Sequence, residues 1–371
     1  MNDGNQKTAL TALIALGLAL TGSGSALAHD ADNDANDSVA FVRSNLDANI
    51  AGRAPTTDAN LANAWGIAFV PGGPFWINDN HTGLSTLYRG DGSIVPVVVT
   101  IPPPPGSPSD VVAAPTGMIW NPTGGFLVPG SKQPAIFIFD TEDGTISAWN
   151  FNVNPTAAVI AVDNSASGAV YKGLAFGTTA KGNNLYVTNF FAGKVEVYDS
   201  QFKPAVTDGS FVDTHIPPGF SPFGIQNIDG DMWVTFARQN AEKKDDVGGP
   251  GSGFVDVFDT EGHLLRRFAA HGVLNSPWGL ARAPYGFGQF AGDILIGNFK
   301  DGRINAFDAH GNFVGSLRDP HHQPITIDGL WALTFGGGAK SSPEQLFFTA
   351  GPDDENNGLF GVINAVVSKK D

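Results

Sequence analysis

Residues 184–203, "NLYVTNFFAGKVEVYDSQFK", read as one β-hairpin, and residues 293–312, "DILIGNFKDGRINAFDAHGN", write it again. In both, an apolar run ends in a short polar residue, a turn closes on glycine, and a second run ends in an aromatic and an aspartate. Anchoring on the turn glycine brings out further copies, so that the hairpin recurs at Gly83, Gly144, Gly193, Gly253, Gly302 and Gly358. Each is preceded by a second phrase, "AWGIAF", "PTGMIW", "YKGLAF", "PFGIQN", "PWGLAR" or "LWALTF", whose small residue is Gly66, Gly117, Gly173, Gly224, Gly279 or Ala332.

A period of about fifty residues with three or four short strands per unit is the signature of a β-propeller. One unit cannot bury both faces of its sheet, so neighbours stack. The expected fold is all-β, a six-bladed propeller of four-stranded blades, with blade cores near 65–100, 115–162, 171–213, 222–269, 277–318 and 329–364. The last copy runs out of chain after its third strand, while "SVAFVRSNL" (38–46) precedes the first repeat without a partner. That segment is expected to supply the missing outer strand and close the ring, removing an open edge. The competing choice is "NAVV" (364–367).

Composition narrows the classes of function. The 371 residues include no cysteine, which rules out a disulfide framework, a thiolate metal site and a Cys nucleophile. Residues 1–28 read as a secretory signal peptide, an apolar stretch behind Lys7 that ends in Ala26-Leu27-Ala28. Their removal takes away Asp3 and Lys7 together and leaves the formal charge at −15. Residues 29–37, "HDADNDAND", read as an acidic, disordered leader. Such a charge makes nucleic acid a poor partner and cations plausible ones. No later stretch reaches the roughly 18 apolar residues of a spanning helix. The expectation is a chain without a transmembrane segment, secreted or periplasmic.

The phrases "NAWGIAF" (63–69), "FWINDNHTGLSTLY" (75–88), "KKDDVGGPGSGFVDVFD" (243–259), "SPWGLARAPYGFGQFAGDILIGNFKDGRINAFD" (276–308) and "LFFTAGPDDENNGLFG" (346–361) resemble NHL repeats. More closely, they resemble a family of exported bacterial NHL-like propeller proteins of unknown function, frequent in organisms with exosortase sorting systems. The likeness covers nearly all of the chain beyond the signal peptide, and it implies an architecture rather than a chemistry. Some members carry a C-terminal Pro-Glu-Pro sorting signal; this sequence ends "VINAVVSKKD" without one.

No G-x-S-x-G elbow, H-E-x-x-H, Walker loop or dinucleotide fingerprint is present. Propeller geometry places the turns between second and third strands around one mouth of the central channel, where such folds bind ligands. Three groups belong there. Asp79, Asp140, Asn189 and Asn298 each stand four residues before a turn glycine. With the acidic residues nearby they could hold a hard cation such as Ca²⁺; the plainer reading is that Asx side chains cap the turns. Trp65, Phe223, Trp278 and Trp331 precede the small residue of each first strand, with Thr116 and Lys172 completing the column. They form either a stacking platform for a flat ligand or packing between blades. The longest inserted turn, 238–253, carries Arg238, Lys243, Lys244, Asp245 and Asp246 and reads as a lid, a partner contact or plain solvated loop.

The leading functional expectation is an exported binding propeller for a small molecule, glycan or protein, its ligand site drawn from Trp65, Lys172, Phe223, Trp278, Trp331 and Arg238. A metal-dependent hydrolase, lactonase or lyase at the same mouth is the alternative. A non-catalytic scaffold would show a channel filled by side chains.

Overall fold

The computed structural model describes residues 38–368; the expected signal peptide and acidic leader lie outside the described residues. Strands β1 (Ser38–Ala48) and β2 (Thr56–Thr57) precede the first repeat. Blade one is β3–β6 (Ala64–Phe69, Phe75–Asp79, Leu84–Tyr88, Ile94–Thr100), and blade two is β7–β10 (Pro115–Trp120, Phe137–Thr141, Thr145–Trp149, Val159–Asp163). Blade three is β11–β13 (Tyr171–Thr179, Gly182–Asn189, Lys194–Asp199), and blade four is β14–β17 (Phe220–Ile228, Asp231–Arg238, Phe254–Phe258, Leu264–Ala270). Blade five is β18–β21 (Pro277–Arg282, Ile294–Asn298, Ile304–Phe307, Phe313–Ser316), and β22–β24 (Leu330–Phe335, Leu346–Ala350, Leu359–Ser368) make the inner part of blade six.

These strands form six sheets, a six-bladed propeller. The N-terminal strand closes it: β1 pairs antiparallel with β24 from Ser38↔Ser368 to Ala48↔Leu359, so "NAVV" continues the third strand of blade six rather than forming its outer one. Blade three departs from the expected four strands. Its outer segment carries Pro204, Gly209 and the pair Pro217-Pro218, which cannot sustain a ladder, and only the bridge Tyr198↔Pro204 remains.

The core is a set of apolar layers between neighbouring blades. Between blades one and two, for example, Trp76 stacks on Phe137 with centroids 4.3 Å apart and meets Trp149 at 4.7 Å. Polar side chains stitch the inner strands of neighbouring blades. Asn78 donates to the carbonyls of Thr116 and Gly117 at 3.0 Å, and Thr116 Oγ1 donates to Tyr171 O at 2.8 Å. Thr188 Oγ1 donates to Phe223 O at 2.7 Å, and across the ring closure Thr349 Oγ1 donates to Trp65 O.

The first strands crowd the axis, which explains their glycines. A Cβ on Gly66 would lie 2.3 Å from Thr116 O, and one on Gly224 would lie 2.3 Å from Trp278 O. Each first strand also breaks register with its second strand at this point, as between Ala64 and Ile67 or Leu330 and Leu333. Such bulges re-aim the side chains they contain. Here they turn the residues before the glycines toward the axis.

Candidate functional site

At the mouth formed by the turns between second and third strands, two rings of side chains close the channel. The first is the column Trp65, Thr116, Lys172, Phe223, Trp278 and Trp331. Its aromatics neither form an open platform nor fill the layers between blades; they pack on one another across the axis. Trp65 stacks on Trp331 with centroids 3.5 Å apart, and Trp331 stacks on Phe299 at 3.9 Å. Trp278 meets both tryptophans edge-on, and Phe223 lies between Phe190 and Trp331. Trp65, Phe223 and Trp331 are buried, and Trp278 is half-buried.

The second ring comes from the residue just past the end of the second strand, or, in blade four, where β15 runs on to Arg238, from the corresponding residue within it. Register aligns Ala64↔Asp79, Pro115↔Thr141, Tyr171↔Asn189, Pro222↔Phe236, Pro277↔Asn298 and Leu330↔Ala350. The next residues are Asn80, Glu142, Phe190, Ala237, Phe299 and Gly351. Phe190, Ala237 and Phe299 join the aromatic layer, while Asn80 and Glu142 make the polar side. Gly351 leaves room where a Cβ would lie 2.0 Å from Asn63 Oδ1.

This alignment also moves Asp140. Its turn is one residue shorter than that of blade one, so Thr141 occupies the Asx column, and Asp140 falls on the inner position shared with Asn78 and Thr188. There it accepts from Thr116 Oγ1 at 2.9 Å and keeps Oδ2 without a partner; burial pushes its carboxyl up to about 7. Asp79, Asn189 and Asn298 serve their own blades. Asp79 Oδ2 accepts from Thr86 Oγ1 at 2.8 Å, and burial pushes the acid far above its ordinary range. Asn189 donates to Glu196 at 2.9 Å, and Asn298 donates to Val273 O at 2.7 Å. Among the described residues, no three His, Asp or Glu side chains gather in a metal-ligating arrangement. The four residues expected to hold Ca²⁺ do not come together as a ligand set: Asp79, Asn189 and Asn298 are engaged at their own hairpins, and Asp140 stands apart from them behind Gly117.

Lys172 is the centre of the polar side. Its side chain is only 3% exposed. Its ammonium pairs with Glu142, lies 3.5 Å from Asp245 of the blade-four turn, and stands 5.1 Å from the Trp65 ring and 5.9 Å from Phe190. Burial alone would lower this amine, but Glu142 and Asp245 outweigh it and hold the ammonium above its ordinary range. Glu142 also accepts from Asn80 at 3.0 Å, and Asn80 accepts from Asn63 at 3.2 Å. Asn63 donates to Glu355 at 2.8 Å and accepts from the Trp331 indole at 2.9 Å. The Trp278 indole donates to Lys172 O at 2.8 Å. Burial raises the Glu355 carboxyl despite the attraction of Lys172. The blade-four turn lies against the same mouth, with Asp246 3.5 Å from Lys300, whose ammonium sits 4.4 Å above Phe299. Arg238 is exposed at the foot of that turn and takes no part in the network.

Beneath the aromatic layer the channel keeps a cavity of about 50 Å³, lined by Gly66, Gly117, Leu174, Ile225, Trp278 and Leu333 among others. Toward the opposite end it widens to about 240 Å³ between Phe69, Trp120, Phe176 and Asn227.

No family model matches the chain. It is 32% identical to "Uncharacterized protein R648" of Acanthamoeba polyphaga mimivirus over 327 residues, 86% of this chain and 78% of the relative. It is 31% identical to "Uncharacterized protein L690" of the same virus over 315 residues, 82% and 81% of the two chains. These relatives are viral, whereas the resemblance read from the repeats is to exported bacterial proteins. Among solved structures, a putative gluconolactonase superposes with a TM-score of 0.52 at 13% identity, covering 89% of this chain and 93% of that one. At such identity the likeness speaks for the fold alone.

Proposed function

The chain belongs to one family with the mimivirus proteins R648 and L690, and from that premise we propose that it is a binding propeller whose ligand or partner is recognised at the closed mouth around Lys172. The observation that carries this reading is the buried ammonium itself. A lysine at 3% exposure, paired with Glu142 and set on an aromatic layer, costs stability unless its surroundings are built for it. Here Asn63, Asn80, Glu355 and the blade-four turn are spent on that environment. The layer that blocks the channel is the feature expected of a non-catalytic scaffold, and it leaves a ligand only the surface of the mouth, where the turns can contact it.

Export is part of the proposal, on the strength of the signal-like residues 1–28. Cell fractionation with N-terminal sequencing of the product tests it.

The test of the site is a calorimetric panel of glycans, amines, and acidic and basic peptides. It compares the parent with Lys172→Met and with a chain whose residues 240–251 are replaced by Gly-Gly. A ligand that binds the parent and is lost in both variants supports the reading; binding unchanged in both overturns it. One observation favours a hydrolase or lyase instead. Asp140, fully buried with an unpartnered oxygen, stands behind Gly117 at the wall of the channel cavity. Lactone or ester turnover abolished by Asp140→Asn would put that reading first.

A further inference from the structure

In blades one, two, four and five the third strand is covered by β6, β10, β17 or β21, and in blade six by β1. Blade three stops at β13. The chain after β13 makes two rungs of a fourth strand, Asp199 N–H to Lys203 O and Ala205 N–H to Val197 O, both at 2.8 Å, and then leaves the edge. It is held on blade four instead, where Gly209 donates to Glu261 O at 2.7 Å and Phe211 donates to Gly262 O at 2.9 Å. Phe211 is buried there between Tyr186 and Phe258, with centroids 5.6 and 5.4 Å away, at a φ of 53° that few phenylalanines adopt. The diversion is therefore anchored, and it keeps the chain's own residues off the rest of the edge.

The groups left along that edge follow a fixed pattern. Successive residues of an antiparallel ladder turn their N–H and C=O to alternate sides. The two rungs show that Val197 and Asp199 turn theirs outward, so Val195 does as well. Among the described residues, no hydrogen bond reaches the N–H of Val197 or the N–H and C=O of Val195 from outside the β12–β13 ladder. These residues line a groove of about 430 Å³, walled by Asn164 and Ser167 from the link out of blade two and by Ala205 and Thr207 from the diverted segment.

The two faces of β13 at this groove differ in chemistry. Val195 and Val197 send their side chains into the apolar layer shared with Phe236 and Phe254 of blade four. Glu196 and Tyr198 face the other way, into a network built before any guest arrives. Glu196 accepts from Tyr171, Tyr198 and Asn189 at 2.8, 2.7 and 2.9 Å, and Asn164 donates to both tyrosine hydroxyls at 2.7 Å. A strand laid along the groove would alternate in the same way, apolar opposite Val195 and polar opposite Glu196.

The spacing of the open groups selects the occupant. An N–H, a C=O and a further N–H set along one strand are matched together by a backbone of the same repeat, whereas an ion or a flat ligand would meet one of them at a time. Exposed edges of this kind take up extended chains, with main-chain bonds giving affinity and the flanking walls giving specificity. The fold already completes blade six with a strand from a distant part of the sequence.

We propose that blade three is completed in trans: an extended segment of a partner protein adds to β13 as its fourth strand, antiparallel to it, with an apolar residue opposite Val195 and a hydroxyl- or amide-bearing residue opposite Glu196. This surface does not depend on recognition at the mouth around Lys172.

The experiment is calorimetric titration of the full chain with the peptide acetyl-Lys-Val-Thr-Val-Thr-Val-Lys-amide and with two versions of it, one N-methylated at its valines and the other at its threonines. Valines opposite Val195 turn their N–H groups toward β13, so methylating them is expected to weaken binding about tenfold or more, while methylating the threonines leaves it unchanged. Ser167→Trp, which fills the groove from an exposed position, is expected to abolish binding, and its thermal midpoint without peptide shows that it folds. Equal binding of the two methylated peptides, binding that survives Ser167→Trp in the folded variant, or no binding of the unmodified peptide at millimolar concentration refutes the proposal. Cellotetraose binding that Ser167→Trp abolishes would overturn it in favour of a glycan. A concentration-dependent dimer in sedimentation that the same variant dissociates would overturn it in favour of a second copy of the chain.

Discussion

Asp47 lies on the strand that closes the ring, at the bulge between Asn45 and Asp47, and it is fully buried with neither carboxyl oxygen hydrogen-bonded. Burial, with the carboxylates of Asp58 and Asp91 adding to it, pushes its carboxyl from 3.8 up to about 7. Between those values the folded chain holds a proton that the unfolded chain has released, so the stability this acid allows at low pH is lost as pH rises. At pH 8 the loss amounts to about 4 kcal/mol. Asp47→Asn removes the charge but leaves amide donors to satisfy, at about 1–2 kcal/mol, so the variant should be more stable than the parent by roughly 2–3 kcal/mol at pH 8. At pH 5, where Asp47 is protonated, the two should be equal, or the variant slightly weaker. Urea unfolding followed by tryptophan fluorescence at both pH values measures the difference. A variant no more stable than its parent at pH 8 would refute the argument.

Glu142→Gln should cost more than Lys172→Met, about 3–5 kcal/mol, because it strands a buried ammonium; adding Lys172→Met to it should recover most of the loss in the same unfolding assay. Trp331→Ala should cost about 3–5 kcal/mol, since its ring is stacked on both faces, by Trp65 and Phe299; denaturant midpoints at fixed pH test this. Gly302→Ala should destabilise by about 3 kcal/mol or more, because its backbone is left-handed and the new Cβ would lie 2.1 Å from Ile327 O; a thermal midpoint within a degree of the parent would contradict it.

The repeat was readable because each blade solves the same packing problem with the same residue types. The turn glycines and the glycines of the first phrase fix the period, and the unpartnered "SVAFVRSNL" fixes the closure. What could not be read was orientation. The bulge in each first strand sends Trp65 and its counterparts to the axis, and no side-chain pattern in "AWGIAF" announces that a strand will bulge there. Nor does the absence of an outer strand in blade three show as a break in the repeat, although its prolines hint at it.

The axial ring shows why the site was only half legible. Anchoring on the turn glycine aligned Asp140 with Asp79, when the ladder aligns Thr141 there, because the turns differ in length by one residue. In a strand such a slip exchanges one face for the other. The residues that matter stand one place further on, and Asn80, Glu142, Phe190, Ala237, Phe299 and Gly351 share no residue type that a repeat search could catch. Their divergence is itself informative. Positions that only cap a turn or fill a layer recur from blade to blade, as the turn glycines do. Positions that face one another across an axis are free to differ between blades, and that difference makes a mouth with an apolar half and a charged half out of six copies of one hairpin.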